Sequence, residues 1–333
     1  MEKPLVSILI PVFNCEEWVG NAISSALAQT WANKEVIVLN DGSDDGTLDI
    51  IRGFGDAVRV ESKRMGGQNA SRGRLTEMSG GEWLVFLDAD DELAPDSVEQ
   101  QMRCSAGADA IYGSTDVARY KGREKVFSYT ATAVQYDDAI EAAIRWSLPN
   151  TSSMLLRKSA ILEVGGWPAD VANCTDYALY FKLLIAGKIF RAAPDAMSLY
   201  RHWSTKQASY ENAMRKSVAR LDIMIAAAKE LLRLGKMTPS HLQIWSDYML
   251  RCIRHLHGHD REKANAYLHE IYSLNPGYRP APPMFTRSFG LTFRFLGLNA
   301  AQELADVTRM VRRRLNLGGY AEPNPVALSE IGT

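Results

Sequence analysis

Three carboxylates lie within four residues of the chain, at Asp88, Asp90 and Asp91. They directly follow the apolar run 83–87, which is typical of a buried strand. Like charges held side by side at a strand end cost stability unless a cation neutralises them. Ligands of open α/β sheets bind at this edge. The pattern predicts a divalent-metal site that holds a phosphate-bearing ligand. The alternative is a solvated surface turn that caps the helix starting near Pro95.

The segments around these acids predict an α/β fold. Continuous apolar runs indicate parallel strands, and amphipathic runs indicate helices. Strands are predicted at 5–13, 35–39, 58–60 and 83–87, and helices at 16–29, 47–52 and 69–78, with Asn14 as the N-cap of the first helix. Shorter strands are expected at 108–112, 117–120, 126–129, 151–156, 189–191 and 197–200, and further helices at 206–234, 240–255 and 261–273. The early alternation predicts a mostly parallel central sheet flanked by helices.

Composition narrows the class of protein. The 333 residues are 46% hydrophobic and 23% charged, as in ordinary globular proteins, and the net charge of −1 gives no field for nucleic acid. The four cysteines form no CxxC pair, which favours a reducing compartment. The N-terminus has no signal-peptide pattern, and no run of 18 apolar residues occurs. We expect a cytoplasmic protein, with peripheral contact at the inner face of a membrane left open.

Four motifs occur in order, at 6–14, 29–31, 35–47 and 81–91, and together they carry a family resemblance. They resemble the family 2 glycosyltransferases, nucleotide-sugar enzymes with the GT-A fold, a Rossmann-like α/β architecture. The resemblance covers about residues 5–200. It implies a catalytic domain at 1–205, with a nucleotide-binding half at 1–105 and an acceptor-side half at 106–205. A helical region at 206–275 and a proline-containing linker with a basic amphipathic tail at 276–333 are predicted to follow.

The resemblance assigns residues to the donor side. Pro11, Val12, Phe13 and Asn14 match the nucleotide-contacting loop, and Asp41 matches the acid that accepts a hydrogen bond from the base; the alternative for residues 40–47 is an Asx turn. Arg72 matches a diphosphate-binding arginine, although Ser71 and Gly73 replace the usual alanine and asparagine. The alternative for Arg72 is a surface position on a helix.

The Asp-x-Asp motif is Asp88-Ala89-Asp90. By resemblance Asp88 and Ala89 contact the nucleotide sugar, with Asp88 reaching the ribose or a metal-bound water, and Asp90 ligates the metal. Hard carboxylate ligands suit Mn²⁺ or Mg²⁺. Asp91 is a further acid in the same run, with helix capping as its alternative role.

The resemblance also implies a catalytic base, Asp176, at the start of a predicted helix. Thr175 stands where the family usually has glutamate, and the alternative for Asp176 is an N-cap. Arg201 is predicted to contact the diphosphate, and His202 to contact it or to be a third metal ligand. A hydrogen-bonded strand end is the alternative for His202.

The predicted function is an inverting, metal-dependent transfer of a sugar from a nucleoside diphosphate, expected to be UDP, to a hydroxyl of a glycan, glycolipid or glycoprotein in polysaccharide, lipopolysaccharide or glycan assembly. A sugar nucleotidyltransferase is the alternative enzyme, but residues 11–14 lack its glycine-rich basic signature. A non-catalytic sugar-binding or scaffold subunit predicts eroded acids, whereas the acids are intact. The basic tail around 312–314 predicts membrane contact, with a solvated helix face or subunit contact as alternatives, and oligomerisation stays open.

Overall fold

The computed structural model describes residues 3–64, 66–203, 213–280, 282 and 284–314. The chain divides into two compact units. One is formed by residues 1–143 and 148–208, and the other by residues 144–147 and 209–333. The domain boundary predicted at residue 205 and the last part of the predicted tail lie outside the described residues.

The first unit is built on a nine-stranded sheet in the order β3-β2-β1-β4-β8-β6-β9-β5, with β7 paired to β6. The strands are β1 Val6–Val12, β2 Lys34–Asn40, β3 Arg59–Ser62, β4 Trp83–Phe86, β5 Glu92–Leu93, β6 Ala110–Lys121, β7 Glu124–Ala131, β8 Met154–Arg157 and β9 Phe190–His202. The first four are parallel to one another, and β9 is parallel to β6. The other pairs are antiparallel, so the predicted parallel sheet becomes mixed in its second half.

Seven α-helices accompany this sheet among the described residues that precede β9. They are α1 Val19–Leu27, α2 Thr47–Arg52, α3 Gln68–Met78, α4 Ser97–Arg103, α5 Ala139–Ile144, α6 Lys158–Glu163 and α7 Thr175–Ile185. Strand β1 is buried on both faces, which explains its unbroken apolar sequence. Because β1 and β2 run parallel, their carboxyl ends meet at one edge with that of β4. This edge carries the predicted donor residues.

Two capping predictions are wrong. Helix α1 begins at Val19, and Asn14 instead adopts a left-handed conformation (φ 45°) and exchanges two hydrogen bonds with Asp44, at 2.7 and 3.0 Å. Asparagine tolerates this conformation because its short side chain bonds locally. Asp91 caps no helix either, because α4 starts at Ser97 and the Asp91 side chain is fully buried.

Two pairs of predicted short strands are each one long strand. Segments 108–112 and 117–120 fall in or beside β6, and segments 189–191 and 197–200 fall in or beside β9. The β6–β9 register skips from Ala193 to Met197 at Gly113. A Cβ atom at Gly113 would lie 2.5 Å from the Ala196 carbonyl oxygen, so glycine is needed where β9 bulges. The bulge broke the alternation pattern that predicts a single strand.

The second unit is helical in its described residues. Its helices are α8 Ala213–Arg233, α9 Pro239–His257, α10 Arg261–Leu274 and α11 Arg287–Arg314. Thr238 and His241 form a capping box at the start of α9, and Asp260 caps α10. Helix α11 is kinked at Gly297 (φ 80°, ψ −177°). The predicted helices at 240–255 and 261–273 agree with α9 and α10, whereas the predicted start near residue 206 is not among the described residues.

Candidate active site

The acid turn, residues 88–91 between β4 and β5, is anchored by Asp91. Its carboxylate accepts hydrogen bonds from the Ser152 hydroxyl at 2.7 Å, the Arg201 backbone N–H at 3.0 Å and the Asn150 amide at 3.3 Å. Burial, followed by the negative charges of Asp90 and Asp88, raises the pKa of the Asp91 carboxyl well above its usual range. The buried Asp91 side chain therefore anchors the turn to the protein interior. Asp88 and Asp90 are the partly exposed acids of the turn.

Arg72 joins the acid turn to the start of α7. Its Nη2 donates to Asp88 Oδ1 at 2.8 Å, and its Nη1 donates to the Thr175 hydroxyl at 2.9 Å. The guanidinium lies 4.7 Å from the ring centroid of Trp167, and the side chain is 2% exposed. Its predicted surface alternative is wrong, because the residue is buried in a stacked and hydrogen-bonded site.

Asp176, the predicted base, is in the first turn of α7. The N-cap of this helix is Cys174, in a left-handed conformation (φ 55°), so Asp176 is not the N-cap. Its Oδ1 accepts the Tyr177 backbone N–H at 2.9 Å. Burial raises the pKa of the Asp176 carboxyl; the Tyr177 N–H and Arg72 oppose this shift, and Asp88 adds to it. A carboxylate with a raised pKa is the better proton acceptor, and such groups are common at catalytic sites.

Asp41 shapes the loop that leads into α3. Its carboxylate accepts hydrogen bonds from the backbone N–H groups of Gly66 and Gly67, at 3.1 and 3.0 Å, and from the Ser71 hydroxyl at 3.1 Å. Gly67 has φ 137°, a conformation that needs glycine. Asp41 thus orders the beginning of the helix that carries Arg72. Contact between Asp41 and a nucleotide base stays a prediction.

The predicted nucleotide loop follows β1 at the same edge. Pro11 and Val12 end the strand, and the Val12 carbonyl accepts the Asp41 backbone N–H at 2.8 Å. Phe13 is 58% exposed, although it follows a fully buried strand. The Asn14 backbone N–H donates to the Ser43 hydroxyl at 3.0 Å. The loop is therefore tied to residues 41–44, with an exposed aromatic ring beside it.

Arg201 holds the acid turn from β9. Its Nη1 donates to the Asp90 carbonyl and its Nη2 to the Glu92 carboxylate. The guanidinium lies 4.1 Å from the Trp18 ring centroid and 5.0 Å from that of Tyr120. Both arms of this buried side chain contact the protein, so the structure gives it a positioning role, and its predicted contact with diphosphate stays a prediction.

Trp203 is a site residue that the sequence analysis missed. Its indole Nε1 donates to Asp90 Oδ2 at 3.0 Å, and its ring lies 6.3 Å from Trp18. The neighbouring His202 ring packs against Tyr200 at 4.6 Å. In the sequence, the only signal for Trp203 is its position directly after the predicted site residues Arg201 and His202. An indole N–H can orient Asp90 but cannot ligate a metal.

The donor set of the acid turn fits a hard divalent cation. Asp88 and Asp90 are partly exposed carboxylates, with Ala89 buried between them. Within the part of the chain that the structure describes, no group of three or more His, Cys, Asp or Glu side chains is placed to hold a metal ion. The histidines between residues 255 and 259 form no such group either. Ligation by His202 together with Asp88 and Asp90 therefore stays a prediction.

Comparison with known proteins shows what this chain is similar to. Residues 7–164 match the family model described as glycosyl transferase family 2. Over these residues the chain is similar to glycosyltransferase family 2. The match spans β1 to α6 and includes the acid turn, Asp41 and Arg72. Asp176, Arg201 and Trp203 follow beyond the matched residues.

The chain is similar to parts of curated relatives. It is 41% identical over 200 residues to the chondroitin synthase of Pasteurella multocida (strain Pm70), which covers 56% of this chain and 19% of the synthase. It is 31% identical over 198 residues to an uncharacterised glycosyltransferase of Rickettsia typhi, covering 56% of this chain and 61% of that protein. The match thus spans less than two thirds of these curated relatives.

Solved structures share the fold. S. aureus TarS 1-349 in complex with UDP-GlcNAc has a TM-score of 0.64 and 15% identity, covering 92% of this chain and 91% of that one. The mannosyltransferase PcManGT of Pyrobaculum calidifontis, in complex with GDP-Man and Mn²⁺, has a TM-score of 0.54 and 16% identity, covering 99% and 87%. The predicted GT-A fold is confirmed.

Proposed function

We propose that this protein transfers a sugar from a nucleoside diphosphate sugar, with UDP as the expected nucleotide, to a hydroxyl of a glycan, glycolipid or glycoprotein. The transfer inverts the anomeric carbon. The observation that carries the proposal is the meeting of donor side and base side at Arg72, which donates to Asp88 at 2.8 Å and to Thr175, the neighbour of Asp176, at 2.9 Å. A single-displacement reaction requires these two functions to be adjacent.

The donor side consists of chain segments at one edge of the sheet. Phe13 offers an exposed ring next to Asp41, which suits a nucleobase with a donor N–H facing the carboxylate. Arg72 brings a guanidinium close to Asp88, where diphosphate oxygens would be bound. The complexes of TarS with UDP-GlcNAc and of PcManGT with GDP-Man and Mn²⁺ support a nucleotide-sugar donor for this fold.

Asp90 is proposed as the direct ligand of Mn²⁺ or Mg²⁺, with Asp88 acting through the ribose or a bound water. The bound cation supplies Lewis-acid stabilisation of the charge on the departing diphosphate. Trp203 orients the Asp90 carboxylate, and Arg201 holds the backbone of Asp90 and the side chain of Glu92. Arg72 holds Asp88 at a fixed position relative to the start of α7.

Asp176 accepts the proton of the acceptor hydroxyl as that oxygen attacks C1 from the face opposite the leaving group. General-base catalysis of this kind contributes about 10²–10⁴ in rate. The raised pKa of its carboxyl makes it a stronger base than an ordinary aspartate. The Tyr177 N–H bond at 2.9 Å limits rotation of the carboxylate and aims the remaining oxygen.

The test uses the full chain with a panel of UDP- and GDP-sugars and oligosaccharide acceptors, with Mn²⁺ or Mg²⁺ present. We expect nucleoside diphosphate release that requires acceptor and stops in EDTA, and a product whose anomeric configuration by NMR is opposite to that of the donor. Asp176→Asn should abolish transfer while leaving the Kd for the donor unchanged.

Other outcomes contradict the proposal in recognisable ways. Release of inorganic pyrophosphate from a nucleoside triphosphate and a sugar phosphate would indicate a nucleotidyltransferase. Donor binding without turnover under any acceptor would indicate a non-catalytic subunit. A product that retains the donor configuration would exclude single displacement, and full activity in EDTA would exclude the metal role of Asp90.

A further inference from the structure

Helix α11 is apolar on two sides before its kink at Gly297. On one side Phe289 and Phe293 are buried, and the Phe289 ring stacks on Phe285 at a centroid distance of 5.3 Å and on Phe293 at 6.0 Å. The Arg254 guanidinium of α9 covers the Phe289 ring at 4.4 Å. The second unit thereby already supplies the packing for one face of this helix. That inner face holds α11 in place and leaves the opposite face outward.

The outward face carries what we name the α11 patch: Arg287, Leu291, Arg294, Phe295 and Leu296. Leu291 is 57% exposed, Phe295 72% and Leu296 69%. Arg287, Leu291 and Phe295 follow one another at a spacing of four residues, so they line one side of the helix. The Arg294 guanidinium lies 5.4 Å from the Phe295 ring centroid. Large apolar side chains this exposed on a soluble surface mark an interaction site.

Charge selects the partner of this patch. Residues 275–314 contain seven arginines and two acids, Glu303 and Asp306, whereas the whole chain has a net charge of −1. No acid occurs between residues 275 and 302. Arg287 and Arg294 therefore stand beside the exposed Phe and Leu side chains in a segment without acids. This combination is the signature of a helix that lies in the headgroup region of an anionic bilayer.

We propose that the α11 patch docks the protein peripherally on an anionic lipid surface. Phe295, Leu296 and Leu291 enter the boundary between headgroups and acyl chains, while Arg287 and Arg294 reach lipid phosphates along their apolar stems. A second copy of the chain fits less well, because a two-fold contact between two identical patches would bring their arginines together. The proposal is independent of the transferase activity.

Vesicle binding by the full chain tests the proposal. We expect binding to vesicles of equal parts phosphatidylglycerol and phosphatidylcholine, and none to vesicles of phosphatidylcholine alone, by co-sedimentation. Phe295→Ser and Leu296→Ser should each weaken the binding about tenfold, because each removes an apolar side chain that enters the bilayer in the bound state. Arg287→Gln and Arg294→Gln should each weaken it about fivefold and flatten its dependence on salt.

Phe127→Ser is the matched control. Phe127 on β7 is 58% exposed, close to the 57% of Leu291, but Phe127 lies outside α11. Its substitution should leave vesicle binding unchanged. Circular dichroism should show the same unfolding temperature for all variants, and their Kd for the nucleotide sugar should equal that of the wild type, which separates a failed membrane surface from a failed donor site.

Two results would overturn the proposal. The first is vesicle binding that Phe295→Ser and Arg294→Gln do not change. The second is a wild-type dimer, by light scattering, that Phe295→Ser converts to a monomer while the wild type does not bind the anionic vesicles. In that case the patch is a contact between two copies of the chain.

Discussion

Arg72 is the residue at which the two halves of the proposed reaction meet. It is buried, it stacks on Trp167, and its two Nη groups bind different segments, Asp88 after β4 and Thr175 at the start of α7. Where the family motif usually has glutamate, Thr175 offers a neutral hydroxyl. Arg72 therefore has no acid at position 175 to pair with, and its charge acts on Asp88, on Asp176 and on the proposed diphosphate.

Thr175→Val tests this contact, because valine has the shape of threonine but no hydroxyl. A hydrogen bond to a charged group is worth about 1.5–3 kcal/mol, so kcat/KM should fall about tenfold or more. Most of the loss should lie in kcat, since the proposed contacts of the nucleotide with Asp41 and of the metal with Asp90 remain. Thr175→Ser restores the hydroxyl and should recover most of the activity. An unchanged kcat in Thr175→Val would show that the Arg72–Thr175 contact positions nothing.

Asp176 links activity and stability to pH in opposite directions. Burial, together with the charge of Asp88, raises the pKa of its carboxyl, while the Tyr177 N–H and Arg72 act against this, and Tyr180 is the other ionisable neighbour. The base must be ionised, so kcat/KM should fall as the pH drops through this raised pKa. The acidic limb should therefore lie above the usual value for aspartate, about 3.9.

The stability effect has the reverse sign. Because the folded state prefers the protonated carboxyl, ionised Asp176 destabilises the fold at neutral pH, and this cost disappears below the unfolded pKa of about 3.9. Asp176→Asn should thus unfold at a higher temperature than the wild type at pH 7 to 8, and the difference should shrink as the pH falls toward 4. A lower unfolding temperature for Asp176→Asn at neutral pH would contradict the raised pKa.

At the scale of elements, β9 and the acid turn form one supported unit. The Arg201 backbone binds Asp91, its guanidinium binds the Asp90 carbonyl and Glu92, and Trp203 binds the Asp90 side chain. Arg201 and Trp203, at and just after the end of β9, thereby hold the three consecutive acids Asp90, Asp91 and Glu92. This support crosses 110 residues of sequence, and no local pattern in residues 88–91 indicates it. The antiparallel pairing of β5 with β9 brings the end of β9 to the acid turn.

Arg201→Lys should weaken this support. Lysine cannot reach two acceptors with a planar fork or stack as well between Trp18 and Tyr120. We expect a loss of about 1–3 kcal/mol in the free energy of unfolding by urea, and a higher Mn²⁺ concentration for half-maximal activity. Arg191→Lys, at an exposed position of the same strand, should change neither quantity. Equal destabilisation by both substitutions would argue against a specific role for Arg201.

The sequence predicted those elements whose local pattern agrees with their surroundings. Helix α2 was predicted with its observed ends, and α3 within one residue, because turn-rich segments bound both. Strands β6 and β9 were predicted in pieces, since Gly113 and the segment 194–196 interrupt their alternation. Asp88, Asp90 and Asp91 were located from the end of the preceding strand, but their partners come from distant segments, such as Arg72 on α3 and Arg201 on β9. The prediction of Asn14 as a helix N-cap was wrong because the side chain bonds Asp44, which is 30 residues away in the sequence.

At the scale of the whole molecule, the two compact units divide the labour. The proposed donor, metal and base residues belong to the first unit, which contains the sheet. The second unit has its own helical core, in which Trp245 donates to the Met224 carbonyl at 3.0 Å, and it carries the α11 patch. Within the described residues, no helix is long and apolar enough to cross a membrane. The helix that carries the α11 patch packs on its own unit through Phe289 and Phe293.

This division predicts where a donor should slow hydrogen exchange. Adding UDP and Mn²⁺ at about 100 times their Kd stabilises the bound state by about 2.7 kcal/mol. Amide protection should rise at residues 11–14, 40–47, 66–72 and 88–91, which end or follow the strands at one sheet edge. Helices α9 and α10 should exchange at the same rate with and without ligand. Mass spectrometry of peptic fragments measures both groups of segments in one experiment.

UDP without Mn²⁺ is the control, and it should protect residues 11–14 and 40–47 more than residues 88–91. Equal protection of α9 would show that the second unit takes part in donor binding, and unchanged exchange at 88–91 would remove the acid turn from the donor site.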